Sequence, residues 1–189
     1  MGMENGKVMI PEVTSKQLFN LISQIYPSEA IAISKLEGIF GKSRFTNAYV
    51  TGLSIGLMTR KDSNLFLTPE GKELGRALAS KNKEEQRKIL QKVVLANPVL
   101  EFIHSLINER KTIRNKEIGQ RISVQFNKNW KNEASYSRYG TNCGDILDSA
   151  GLGYYENGIY SLEKIGGTED SKGTSVPCLR FKKILEILE

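Results

Sequence analysis

Two sets of polar side chains recur roughly 95 residues apart: Ser43, Arg44, Asn47 and Thr51, then Ser137, Arg138, Thr141 and Asn142. Serine, threonine and asparagine can hydrogen-bond base edges or phosphates, and an arginine guanidinium can fork onto guanine. Each set heads a helix-like run that leads into a pair of short strand candidates. The first pair adds Arg60, Lys61 and Asn64 and suits a phosphate clamp. The second adds Tyr154, Tyr155 and Asn157 and is more aromatic than basic. Taken singly, each polar residue reads as a solvated helix face. Their joint placement on equivalent elements, with a formal net charge of +6, points to nucleic-acid contact. Asp145 and Asp148 lie on the second helix and would repel phosphate if they faced a groove, which limits that copy to its N-terminal half or turns it toward a protein.

Bond-making chemistry finds little support. No Gly-rich loop ends in Lys-Ser/Thr, no His-Glu-x-x-His is present, and no Cys or Ser nucleophile has a matching histidine. Gly140-Thr141-Asn142-Cys143-Gly144 contains glycines but lacks the Lys-Ser/Thr end of a phosphate loop. Cys143, Cys178 and the lone His104 cannot form a zinc cluster. The sequence therefore names no catalytic residue, no metal ligand and no cofactor.

The elements that must position the polar sets follow from periodicity and punctuation. Thr14-Ser15-Lys16-Gln17 has the form of a capping box ahead of Leu18, Phe19, Ile22, Ile25 and Tyr26 on one helical face. Ser28 and Glu29 open a second helix carrying Ile31, Ile33 and Leu36, and Gly41 stops it. Lys42 to Ile55 is the third, with Phe45, Ala48, Tyr49, Gly52 and Leu53 inward and Arg44, Asn47, Thr51 and Ser54 outward. Leu57–Arg60 and Asn64–Thr68 then flank a polar turn. Thr68 and Pro69 open the next helix, where proline's missing N–H costs nothing.

Lys83 to Ala96 is a connecting helix with Ile89, Leu90, Val93 and Val94 inward, and Asn97-Pro98 breaks it. The second copy starts at Pro98 with Val99, Phe102, Ile103, Leu106 and Ile107. Lys111 to Phe126 supplies its second helix, and Trp130, in the following link, caps the domain core or touches a partner. The third helix ends at Ala150-Gly151-Leu152. Leu152–Tyr155 and Ile159–Leu162 flank Glu156-Asn157-Gly158, and Asn-Gly between β-prone runs is a strong hairpin signal.

This order of helix, helix, helix and hairpin, followed by LTPEGKELG, resembles the winged helix-turn-helix superfamily of prokaryotic DNA-binding proteins over about Thr14–Ala79 and again over Pro98–Leu162. The resemblance implies a mainly α chain with small β-hairpins (α+β), built as tandem winged-helix domains. It implies that each third helix enters the major groove of double-stranded DNA while the hairpin touches the backbone or minor groove. The boundaries read as 10–80 and 98–165 for the two domains, 81–97 for the connecting helix, 166–177 for a Gly- and Ser-rich linker and 178–189 for an amphipathic C-terminal helix. A helix of that length rarely stands alone in water, so its apolar face packs on its own chain or on a second copy as a homodimer.

No apolar run reaches the roughly 18 residues that span a membrane, and the opening MGMENGKVMIPE lacks a basic n-region and an apolar h-region. The expected setting is cytoplasmic. The expected function is non-catalytic binding of double-stranded DNA, as a transcriptional regulator or the DNA-recognition part of a defence or mobile-element system. A scaffold for protein–protein interaction, with the second domain as the docking part, is the alternative.

Overall fold

The computed structural model describes residues 3–4, 7–28 and 30–164. The linker at 166–177 and the helix at 178–189, with the homodimer contact assigned to it, lie outside the described residues. A short ribbon, β1 (Met3–Glu4) and β2 (Lys7–Val8), comes first. It is followed by α1 (Ser15–Ile25), β3 (Ala30–Ala32), α2 (Ile33–Phe40), α3 (Lys42–Ser54), β4 (Met58–Lys61) and β5 (Asn64–Leu67). Then come α4 (Pro69–Ala79) and α5 (Lys83–Val94), and after them α6 (Pro98–Arg110), β6 (Thr112–Arg114), α7 (Asn115–Gln125), α8 (Glu133–Ser149), β7 (Tyr154–Glu156) and β8 (Ile159–Ser161). The class is mainly helical with small antiparallel sheets, as expected.

The same run of helix, strand, helix, helix, strand, strand occurs twice, and the sheets have matching orders, β3-β5-β4 and β6-β8-β7. The likeness extends to single hydrogen bonds. After α3, the Gly56 amide donates to Leu53 O and Leu57 to Gly52 O. After α8, Gly151 donates to Asp148 O and Leu152 to Leu147 O. Both are Schellman caps with the glycine in the left-handed region, at φ 75° and 69°. The first residue of α2 donates its amide to Ser63 O in the first hairpin turn, and the first residue of α7 to Gly158 O in the second. Asn157 and Gly158 take φ 51° and 78°, the paired positive values that the Asn-Gly signal anticipates.

Three readings are corrected. Ser28 and Lys111 do not begin helices: Ala30–Ala32 and Thr112–Arg114 are strands that complete each sheet, pairing Ile31 with Leu65 and Ile113 with Tyr160. Three alternating residues abutting a helix leave no separate period to detect. Thr14 stands at the N-cap of α1, but its side chain caps nothing. Ser54, expected to face outward, is buried and donates its hydroxyl to Thr51 O.

Other signals behave as expected. Thr68 Oγ1 accepts the Gly71 amide at 3.1 Å. Ile89, Leu90, Val93 and Val94 of α5 are buried, and Trp130 packs partly buried against the core. Buried apolar side chains from both repeats and from α5 join in one cluster running from Leu18, Leu36 and Leu65 through Leu90 to Ile118, Ile146 and Tyr160. At about 1.5–3 kcal/mol for each fully buried aliphatic side chain, this burial is the main stabilising term.

The join between the repeats is polar as well. Asn97, fully buried, accepts the amides of Val99 and Leu100 at the start of α6. Its Nδ2 donates to Ser54 O at the end of α3, at 3.0 Å, and to Met9 O at 3.4 Å.

Helices α7 and α8 meet backbone to backbone through glycines: a Cβ on Gly140 would fall on the Asn115 carbonyl oxygen, and one on Gly119 on that of Tyr136. Gly140→Ala should therefore lower the unfolding free energy by about 1–3 kcal/mol through overpacking. Gly38→Ala on α2, where an added Cβ meets nothing within 4 Å, should raise it by about 0.5–1 kcal/mol. Urea unfolding followed by far-UV circular dichroism measures both.

Candidate nucleic-acid interface

Helix α3 begins without a side-chain cap, and its first turn and a half carries Lys42, Ser43, Arg44 and Thr46, all exposed. Thr46 donates its hydroxyl to Lys42 O, and Asn47 is half-buried. On the adjoining hairpin Arg60, Lys61 and Asn64 are exposed. Arg60 Nε donates to Asp62 O at 2.9 Å, which draws its guanidinium toward the turn. Among the described residues Lys35, Lys42, Arg44, Arg60 and Lys61 form no ion pair, although exposed cations are common on any surface. Over residues 33–67 these five cations stand against two anions, Glu37 and Asp62.

Thr51 does not belong to this surface. It is fully buried, and its Oγ1 accepts the Glu12 amide at 2.8 Å and the Val13 amide at 3.3 Å while donating to Asn47 O. The segment before α1 is thereby strapped across the C-terminal half of α3. The outward reading of Thr51 is corrected on this ground: its face of the helix is outward only until residues 8–14 lie on it.

The second set is rearranged more thoroughly. Ser137 is half-buried. Arg138 is partly exposed, but its guanidinium lies 4.7 Å from the Tyr139 ring centroid and 3.9 Å from Glu12. Thr141 joins a closed network with Tyr155 OH at 2.8 Å and Asn115 Nδ2 at 3.1 Å, which ties α8, β7 and α7 together. Asn142 is buried. As contacts to DNA, Thr141 and Asn142 are corrected: one hydroxyl is held internally and the other side chain is out of reach. Asn157, at the hairpin tip, is exposed.

Asp145 explains what α8 faces. Its carboxylate accepts the Ser15 amide at 2.6 Å, the first amide of α1, where the helix dipole favours a negative charge. Arg138, Asn142 and Asp145 follow one another at helical spacing, so one face of α8 is laid against the first repeat. Burial raises the Asp148 carboxyl above its usual range, and the neighbouring Asp145 adds to that rise. Burial also pushes the Cys143 thiol up, out of the reactive range.

Ion pairs occupy other cations of this repeat: Lys116 with Glu133, and Arg110 and Arg121 both with Glu117. Over residues 115–161 five cations meet five anions. Residues 81–97 of the connecting stretch, by contrast, carry five cations against two anions.

Glu12 and Tyr139 were not singled out by sequence as interacting residues. Trp130 stacks on Tyr139 with centroids 4.2 Å apart and planes 9° from parallel, and Tyr139 OH lies 3.2 Å from both Glu12 carboxylate oxygens. The one available signal was the i, i+4, i+7 run Arg138, Asn142, Asp145, whose closing acid suits a helix N-terminus better than a phosphate. Among the described residues no three His, Cys, Asp or Glu side chains are grouped to hold a metal ion, and no helix is long and apolar enough to cross a membrane. Protein-family models, curated proteins and solved structures were all compared with this chain, and none matches.

Replacing Thr51 by valine removes the acceptor of two backbone amides, at a cost of about 1–3 kcal/mol. Thr51→Val should shift the urea midpoint accordingly and raise amide hydrogen exchange at Glu12 and Val13, with exchange elsewhere in α3 much less affected.

Proposed function

We propose that this chain is a non-catalytic double-stranded DNA-binding protein built from two winged-helix units, in which the first unit reads DNA and the second braces it. The observation that carries the reading is the contrast between the repeats. The first presents five exposed cations free of ion pairs on α2, on the front of α3 and on the β4–β5 hairpin. The second is charge-balanced over residues 115–161 and turned inward along α8, with Arg110, Lys116 and Arg121 in ion pairs and Lys111, Arg114 and Lys131 as its exposed cations outside them. A cation without a carboxylate partner is available to displace counterions from a phosphate backbone.

In this reading the front of α3 enters the major groove, with Arg44 and Asn47 toward base edges and Ser43 toward phosphate, while Arg60, Lys61 and Asn64 hold the backbone beside it. Asp145 poses no electrostatic obstacle, because it serves α1 rather than the groove. The biological setting that fits is transcriptional regulation or the DNA-recognition part of a defence or mobile-element system. A protein-docking role for the second unit is favoured by two exposed apolar side chains, Tyr154, which is 46% exposed, and Val124, which is 84% exposed.

Fluorescence anisotropy with a labelled duplex of random sequence, at about 50 and 200 mM salt, tests the reading, with each lost phosphate contact lowering the salt slope by about 0.9. Arg44→Ala and Lys61→Ala should each weaken binding and flatten that slope, whereas Arg138→Ala should bind as the wild type does. Full affinity in both of the first two variants overturns the assignment of the first repeat.

A further inference from the structure

The link between α7 and α8 borders an open groove of about 600 Å³, lined by Val8, Phe126 and Trp130 with Gln125, Asn127 and Asn129 as polar neighbours. All three apolar side chains are half-buried, so each keeps a side toward water. Two residues before Phe126, Val124 is 84% exposed, the most exposed large apolar side chain among the described residues. A surface of this kind suits an amphipathic helix, which lays residues i, i+3, i+4 and i+7 into an apolar groove.

The sequence of residues 178–189 has that spacing in Phe181, Ile184, Leu185 and Leu188, with charged residues between them. The last described strand ends within reach of the groove. Leu162 donates its amide to Lys111 O at the end of α6. Phe102, nine residues back along that helix, packs edge to face on Phe126 with centroids 5.7 Å apart. Nine residues of helix measure about 14 Å. The thirteen residues 165–177 can span up to about 45 Å, so the distance is covered with slack.

We propose that this groove is the docking site of residues 178–189 of the same chain, whose apolar face covers Val124, Phe126 and Trp130. A tethered segment meets its site at an effective concentration of about 1 mM, so an intrinsic Kd of about 100 μM leaves it about nine-tenths docked. At about 10 μM protein, the same segment of a second copy is about a hundredfold more dilute and loses the competition. Tyr154 then remains as the exposed apolar side chain of the second unit open to an external partner. The inference does not depend on DNA binding, since occupancy is read on the protein alone.

Trp130 is the only tryptophan in the chain and lines the groove, so its fluorescence reports occupancy. In the full chain, Ile184→Asp combined with Leu185→Asp should raise acrylamide quenching of Trp130 about twofold by returning apolar surface to water, and Val124→Asp should do the same. A synthetic peptide with the sequence of residues 178–189, at about 1 mM, should restore wild-type quenching to the doubly substituted chain. Circular dichroism confirms that the variants are folded. Wild-type quenching in the folded doubly substituted chain overturns the proposal, as does raised quenching that the peptide leaves unchanged. If dilution of the wild type from about 100 to about 1 μM unmasks Trp130 while light scattering shows a dimer separating, the occupant is a second copy's segment and the same-chain proposal falls.

Discussion

The side-chain amide of Asn97, with no exposed surface, is the point on which the placement of the two repeats turns. A carboxamide has two acceptor and two donor sites, and all four are used here. Its oxygen closes the first turn of α6, and its nitrogen reaches back to the last turn of α3 and to Met9. The residue that starts the second repeat therefore also terminates the third helix of the first and pins the strap before it. An apolar side chain at this position would leave several buried backbone groups without partners, each costing on the order of 1–3 kcal/mol.

With that junction fixed, identical connectivity serves two different ends. In the first repeat the third helix is covered at its C-terminal half by the strap and is open at its front, where the cations are. In the second, the third helix is longer, is held to α7 at glycine positions, buries Asn142 and turns Asp145 onto the Ser15 amide of α1, with Arg138 exposed beside Glu12. Polar residues at equivalent places in a repeated pattern thus acquire different work from the surroundings that fold onto them.

That difference marks how far the sequence was legible. Elements set by local chemistry were clear: the Gly-Leu step after each third helix, the Asn157-Gly158 turn, the Thr68-Pro69 start, and the apolar stripe of α5. The three-residue strands β3 and β6 were hidden, because their only stabilising partners are β5 and β8, dozens of residues away. The site was legible where side chains stay in water, as with Ser43, Arg44 and Lys61. It was misread where a distant segment docks or a side chain is buried, as with Thr51 under residues 8–14 and Asn142 within the packing of α8. Periodicity assigns a face to a helix, but it does not say which other segment of the chain will lie on that face.

The bond from the Ser15 amide to Asp145 joins residues 130 positions apart. A ribosome adds roughly 5–20 residues per second, so on the order of ten seconds separates the emergence of the two partners. During that interval water must solvate the start of α1, and Glu12 waits for Tyr139 as well. The opening helix of the first repeat is thus latched only when the long helix of the second has left the exit tunnel.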